Sequence, residues 1–444
     1  MGPVVEVESQ HVAVVGVGYV GLTLLCALGE AGFAGFGYDI QAEKAARIAA
    51  GHIPFEGAEP AMAALLTRLV AAGRITATAD PARLRDADAV FIAVETPVDD
   101  SDHKPRYHAL RAALATIAPH LTPGVLVVIE STIAPGTMHG LVLPVLAAAL
   151  GTVGKDFYLV HCPERVMPGK LLQNITTLDR VVGGITPACT ARALAIYRHV
   201  TSGTLHSTNA HTAEIVKTAE NAYRDVQIAF ANELALMCEE LDADVYEVRT
   251  LVNSSPFRQM HLPGAGVGGH CIPKDPWLLC AGVSDYQPRL LPTARAINDG
   301  MPLHLVELAA QALAQAGRAL TGARVCILGA AYMEETDDLR NTPALPLARR
   351  LRELGAEVTV LDPYTEQLAE FPVSGELTAI AGSDALILVT AHQAFKTLEL
   401  PAWAAKMRNA ILIDGRNVFD AAVAEAAGFR YAGIGKGRRA VPVV

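Results

Sequence analysis

The chain has 444 residues, which at roughly 150 residues per domain predicts about three domains. Half of the residues are hydrophobic (51%) and 18% are charged, so a large core is available and wholesale disorder is excluded. Lys plus Arg number 36 against 46 for Asp plus Glu, a formal net charge of −10. That argues against a nucleic-acid partner, which would call for a basic face, but leaves room for a local basic pocket around a small anion.

The opening residues, Met1-Gly-Pro-Val-Val-Glu-Val-Glu, lack the basic region of a signal peptide, so no secretory leader is expected. Val12-Ala-Val-Val reads as a buried strand that runs into Gly16-Val-Gly18-Tyr19-Val20-Gly21 and a small-residue helix up to about Gly32. The window from Val12 to Tyr38 is the most apolar in the chain, yet seven glycines and Glu30 interrupt it, so no membrane span is expected. The next strand ends at Phe36-Gly-Tyr-Asp39. Further strand-like runs are Ala89–Val94, Val125–Glu130 and Phe157–Cys162, with Ala/Leu/Arg-rich helical stretches between several of them. Strands alternating with helices imply right-handed crossovers and a mostly parallel sheet.

From Asn209 to Leu241 the pattern becomes one helical run without Gly or Pro, a rod of roughly 45 Å. Loop chemistry is expected at Asn253–Pro276, and a second helix from Pro302 to Ala316. The α/β alternation then restarts with Arg324–Gly329, a helix around Pro343–Leu354, and strands at Glu357–Asp362, Ala385–Val389 and Ala410–Asp414. The predicted fold is α/β: two doubly wound Rossmann-like domains joined by a central helical connector. The expected boundaries are 1–208, 209–305 and 306–444.

The GxGxxG run directly follows a strand and opens a helix. Its first glycine permits a tight turn, the second lets backbone approach a pyrophosphate, and the third lets helix pack on strand. The helix N-terminus then offers free N–H groups to phosphate. Asp39 lies 18 residues after Gly21, where a carboxylate accepts hydrogen bonds from a ribose diol and repels a 2′-phosphate. NAD is therefore expected as the cofactor.

Seven cysteines stand at 26, 162, 189, 238, 271, 280 and 326, with no CxxC pair. Neither a disulfide framework nor a metal site is expected, and a reducing cytoplasm fits. Cys271 stands out. In Pro263-Gly-Ala-Gly-Val-Gly-Gly-His-Cys271-Ile-Pro-Lys-Asp275, four glycines precede one thiol. Such a loop lets backbone crowd a substrate, and an N–H-rich setting favours thiolate. With an NAD site it suggests covalent aldehyde oxidation. Lys217, Asn221 and Arg224 sit at i, i+4 and i+7, one stripe of a helix; by spacing alone this is equally a solvated face.

In these motifs the chain resembles the UDP-glucose/GDP-mannose 6-dehydrogenases, along nearly its whole length from about His11 to Gly435. The resemblance rests on Gly16–Gly21 with Asp39, Glu95-Thr-Pro97, Ser131-Thr132, and Cys162-Pro-Glu-Arg-Val-Met-Pro-Gly169. It continues in Lys217-Thr-Ala-Glu-Asn221-Ala-Tyr-Arg224-Asp, Gly268-Gly-His-Cys271-Ile-Pro-Lys-Asp275, Asp337-Asp-Leu-Arg340-Asn-Thr-Pro343 and Asp414-Gly-Arg416. The Pro-Glu-Arg-Val and Glu-Asn-Ala-Tyr-Arg-Asp-Val stretches look most like the UDP-N-acetylmannosamine branch. The resemblance implies oxidation of a UDP-hexose C6 hydroxyl to a carboxylate with two NAD⁺.

It also implies roles. Cys271 is the nucleophile. Lys217 is a general base or oxyanion stabiliser, Asn221 orients the alkoxide, and Asp275 positions Lys217 or a water. Glu164 handles the hydrolytic water, and Thr132 meets nicotinamide, substrate or water. Cofactor contacts are expected from Gly16, Gly18, Tyr19, Val20, Gly21, Asp39, Lys44, Thr96, Thr132 and Arg340. Substrate contacts are expected from Glu164, Arg165, Val166, Lys217, Asn221, Arg224, Arg258, Gly268, Tyr332 and Arg416. The chain departs from the family at Met333, where a Lys is usual, and at Ser255 and Phe257, where the acetamido-sugar branch carries a His and an Arg from a neighbouring subunit. A homodimer through the central helix is expected. UDP-glucose and UDP-N-acetylglucosamine remain alternative substrates. A two-electron hydroxyacid dehydrogenase and a nucleotide-binding regulatory protein without turnover remain alternative functions.

Overall fold

The computed structural model describes residues 10–55, 60–165 and 170–437. They form two compact units. The first holds the described residues up to Glu220 together with Trp277–Gln287; the second holds Asn221–Pro276 and the described residues from Pro288 onward.

Unit 1 is built on a sheet whose described strands are β1 (His11–Val15), β2 (Ala34–Tyr38), β3 (Ile75–Thr78), β4 (Ala89–Ile92), β5 (Leu126–Ile129), β6 (Tyr158–His161), β7 (Arg180–Gly184) and β8 (Leu205–Asn209). Their spatial order is β3-β2-β1-β4-β5-β6-β7-β8. Every pairing is parallel except β6 with β7. β1, β4 and β5 are almost wholly buried Val, Ile, Ala, Leu and Phe, as a sheet covered on both faces requires. The strand order reverses between β1 and β4, and ligands of such sheets bind outside the carboxyl ends of the strands at that point. Gly16, Thr96 and Thr132 follow β1, β4 and β5, so the topology brings these three loops to one edge.

Unit 2 repeats the plan. Its strands are β9 (Arg324–Leu328), β10 (Glu357–Leu361), β11 (Gln367–Leu368), β12 (Phe371–Ser374), β13 (Ala385–Leu388), β14 (Ile411–Asp414) and β15 (Arg430–Gly433), in the order β11-β12-β10-β9-β13-β14-β15. Here the reversal falls between β9 and β13. Tyr332 follows β9 and Arg416 follows β14. The doubly wound architecture is as the sequence predicts, twice over.

The helical segments show two corrections. The long helix runs Ala210–Glu240 as expected, but the next long helix spans Leu290–Gln315 and contains Pro302 instead of starting there. The expected loop through Pro276 is also shorter. A helix begins at Cys271 and runs to Ala281 with Pro276 inside it. Pro273 falls in its first turn, where a missing N–H costs nothing because that group has no intrahelical acceptor. Strands β7 and β8 were not foreseen. β7 ends in two glycines, and β8, Leu-His-Ser-Thr-Asn, is a largely exposed edge strand without an apolar face.

Candidate active site

In the turn after β1, Gly16 and Gly21 stand where nothing larger fits. Gly16 has φ +85°, the left-handed region, and its N–H donates to Tyr38 O at 2.8 Å. A Cβ on Gly21 would lie 1.9 Å from Gly16 O, whereas one on Gly18 would meet nothing within 4 Å. Gly18 thus leaves open space beside the helix Tyr19–Glu30, whose amino end has no side-chain cap. The positive end of the helix dipole there favours an anion. Val20 is half-buried, and the exposed ring of Tyr19 packs against Phe55 at a tilt of 33°, with centroids 4.0 Å apart. Asp39 is buried at the end of β2. Its Oδ2 accepts from Val17 N (3.2 Å) and Lys44 Nζ (3.1 Å), and its Oδ1 from Gln41 N (3.0 Å). Thr96 Oγ1 donates to Thr132 O at 2.6 Å, tying the loops after β4 and β5 together. An uncapped helix start, an open Gly18 and an acidic residue at the second strand's end suit NAD, with Gly16–Gly21 for its pyrophosphate and Asp39 for a ribose.

Also in unit 1, β6 delivers Cys162-Pro-Glu164. Glu164 and Lys217 are both buried, with Lys217 Nζ 3.7 Å from Glu164 Oε1. Arg165 grips Glu220 with both arms of its fork, at 3.0 and 2.8 Å. Val166 lies outside the described residues. His161 is fully buried, its Nδ1 2.9 Å from Ile129 O. Burial, helped by the charge of Lys217, pushes its imidazole down to about 3, so this ring is neutral. A buried group beneath this segment is absent from the sequence reading. Arg180 Nη2 donates to both oxygens of Glu130 (2.9 and 2.7 Å), Tyr197 OH donates to Glu130, and Arg180 Nη2 lies 3.5 Å from Cys162 O. The only sign in the sequence was a charged residue opening the otherwise apolar β7.

In unit 2, Cys271 is the first residue of its helix and half-buried, at the end of the helix where the dipole is positive. Its loop is locked to the segment after β9. A Cβ on Gly268 would sit 2.4 Å from Tyr332 Cβ, and one on Gly269 (φ +84°) 2.9 Å from the Tyr332 ring. Gly269 N donates to Arg340 O (2.8 Å), and Asn341 Nδ2 donates to Gly269 O (2.9 Å). Asn221 Nδ2 donates to Asp275 Oδ2 at 2.6 Å, and Asp275 is fully buried. That contact fixes which way the Asn221 carboxamide faces. Five of the seven cysteines are buried. Burial pushes Cys26 and Cys326 up to about 12 and Cys162 to about 11, which keeps them as thiols.

The cationic residues fall into different settings. Arg416 donates from Nε to Val389 O (2.6 Å), and burial lowers its pKa. Arg340 is exposed, and Asp338 holds its guanidinium at 2.6–3.1 Å. Arg224 and Arg258 are exposed, as is Phe257, while Met333 and Ser255 are half-buried. The stripe Lys217, Asn221, Arg224 therefore grades from buried to exposed along the helix.

Residues 10–201 match the NAD binding domain of the UDP-glucose/GDP-mannose dehydrogenase family, 211–300 its central domain and 326–421 its UDP binding domain. A UDP-N-acetyl-D-mannosamine dehydrogenase of Pyrococcus horikoshii is 36% identical over 429 residues, covering 96% of this chain and 99% of that protein. The structure of UDP-D-ManNAc dehydrogenase from that organism superposes with a TM-score of 0.89, covering 96% of this chain and 99% of that one at 36% identity. The NDP-N-acetyl-D-galactosaminuronic acid dehydrogenase of Methanosarcina mazei Go1 gives 0.88 at 37% identity, covering 96% and 95%.

Proposed function

From the premise that this chain belongs to the UDP-glucose/GDP-mannose dehydrogenase family, we propose that it carries the C6 hydroxyl of a UDP-hexose to the carboxylate in one four-electron oxidation. UDP-N-acetyl-D-mannosamine is the sugar best supported, since the curated relative is named for it and the second structure is named for another acetamido sugar. The observation that carries the chemistry is Cys271: a half-buried thiol at a helix start, in a glycine loop pinned by Tyr332, Arg340 and Asn341.

Bound NAD⁺ supplies the hydride acceptor. Lys217 takes the hydroxyl proton or stabilises the oxyanion, and Asn221, held by Asp275, donates to the developing alkoxide. The Cys271 thiol then adds across the aldehyde carbonyl, giving a thiohemiacetal at C6. Loss of the one remaining C6 hydrogen as a second hydride, with the proton leaving from the thiohemiacetal hydroxyl, leaves a thioester. Glu164 deprotonates the water that attacks the thioester, releasing carboxylate and the thiol. Thr132, tied to Thr96, is assigned to the nicotinamide side. Gly16, Gly18, Tyr19, Val20, Gly21, Asp39, Lys44 and Arg340 are assigned to the cofactor. Arg165, Val166, Arg224, Arg258, Gly268, Tyr332 and Arg416 are assigned to the substrate.

On the helix Ala210–Glu240, the apolar residues Val216, Tyr223, Phe230 and Met237 recur every seven residues and are 36, 65, 58 and 53% exposed. A heptad stripe left open suits a second copy of the same helix, so the working form is a homodimer; sedimentation equilibrium of the full chain reports on it. No helix among the described residues is long and apolar enough to cross a membrane. No disulfide links any of the seven cysteines, which suits the reducing cytoplasm as its place of work.

Purified protein assayed for NADH with UDP-N-acetylmannosamine, UDP-N-acetylgalactosamine, UDP-N-acetylglucosamine, UDP-glucose and GDP-mannose tests the substrate. The acetamido sugars are expected to exceed UDP-glucose in kcat/KM by about 10-fold or more, the scale of one specific polar contact. Preference for UDP-glucose would refute the acetamido reading.

A further inference from the structure

Within unit 2, four polar side chains are buried where two long helices pack through Ala231, Ala235, Met301 and Leu305. Asp225 and Asn232 come from Ala210–Glu240, and Arg295 and Asn298 from Leu290–Gln315; all four are at most 2% exposed. They form one chain of contacts. Arg295 Nη1 donates to Asp225 Oδ1 (2.5 Å). Asn298 Nδ2 donates to Asp225 Oδ1 (2.8 Å) and to Asp225 O (3.0 Å). Asn232 Nδ2 donates to Asn298 Oδ1 (2.8 Å), and Gly264 N donates to Asn232 Oδ1 (2.9 Å).

Each link dictates the next. A carboxylate paired with Arg295 only accepts, so Asn298 must turn its NH₂ to Asp225 and its oxygen to Asn232. Asn232 must then offer its own NH₂ to Asn298, which leaves its oxygen for the Gly264 N–H. The far end of the chain is the loop Gly264–Cys271. Gly264, Gly266, Gly268 and Gly269 make that segment loose by composition, so its course depends on external pins. Arg340 and Asn341 hold it at Gly269; Asn232 holds it at Gly264.

The network is not explained by stability. Asp225 Oδ2 and Arg295 Nε have no hydrogen-bond partner among the described residues. Burial raises the Asp225 pKa despite the Arg295 charge beside it. Apolar residues of similar volume often do as well in such a place.

We propose that Asn232, oriented by Asn298 and the Asp225–Arg295 pair, is a positioning residue for Cys271: its carboxamide oxygen fixes the start of the glycine loop and so the place of the thiol. The functional meaning rests on the nucleophile role given to Cys271 above.

Hydrogen exchange and steady-state kinetics on the full chain test it. In the wild type the Gly264 amide should be protected although it lies in a loop; exchange at the unprotected rate overturns the proposal without any variant. Asn232→Leu should speed exchange across 264–271 by about 10-fold or more. It should also lower kcat by about 10- to 100-fold, the scale of an ångström of misplacement, with both KM values within about twofold. Asn298→Ala leaves Asn232 present but unoriented and should reproduce the kcat loss. A folded variant of either kind with wild-type exchange in 264–271 and wild-type kcat refutes it. If Cys271→Ser instead leaves NADH formation untouched, the proposed chemistry falls while the exchange result stands.

Discussion

Replacing Cys271 by serine should lower the rate of uronate formation by about 10³-fold or more, the scale seen when a nucleophile acting as a unit with its partners is removed. A serine oxygen is protonated at neutral pH and no lysine, histidine or carboxylate is assigned to activate it, so the covalent step fails. The first oxidation relies on Lys217 and Asn221, which the substitution leaves in place, so residual aldehyde should be trapped by a carbonyl reagent. The other cysteines offer no substitute. Cys26, Cys162, Cys189, Cys238 and Cys326 are buried, and burial raises the pKa of Cys280. Measuring uronate and NADH together decides the matter: wild-type rates of both in the serine variant would rule out the thioester route.

Arg180→Ala should cost about 3–5 kcal/mol of stability, the usual effect of removing one partner of a buried ion pair. Arg180 and Glu130 are 5% and 1% exposed, and Tyr197 closes the group from the far side, its ring beneath the Arg180 guanidinium at 4.6 Å. Burial already raises the Glu130 pKa, with Arg180 opposing. Without Arg180 the carboxyl is raised further, so the folded state binds a proton that the unfolded state has released. Stability then falls as pH rises from the unfolded carboxylate range toward the raised folded value. The variant should accordingly recover part of its loss on acidification from pH 8 to pH 5. Denaturant unfolding at the two pH values measures this; an equal, small loss at both would contradict the role given to the pair. Because Arg180 also reaches the Cys162 carbonyl, the damage should extend to the segment that presents Glu164.

The fold was legible where local pattern and packing agree. Val12–Val15 running into Gly16 and Gly21 is a buried parallel strand turning into a close-packed helix, and the same grammar at Arg324 announced the second sheet. It failed where tertiary context overrides a local rule. Pro302 reads as a helix start but lies within the helix Leu290–Gln315, packed near Gly266. β8 carries no apolar alternation because one of its edges is unpaired.

For the site, glycines and the thiol were readable because their chemistry is rare. The partners that hold them were not. Asn341 and Asn232 touch loop backbone, and a backbone contact leaves no pattern in the sequence. Glu130 and Arg180 are 50 residues apart, and pairing across such a distance is visible only once β5 and β7 are in place. Asp275 was expected to position Lys217 or a water; that its Oδ2 also accepts from Asn221 had no sign in the sequence.

The central claim is that one chain takes a primary alcohol through two oxidations before releasing product. Limiting UDP-N-acetylmannosamine with excess NAD⁺, followed to completion, tests it most directly. Two NADH and one UDP-hexuronate per sugar consumed are predicted; one NADH with a released aldehyde or keto product, or none, would contradict it.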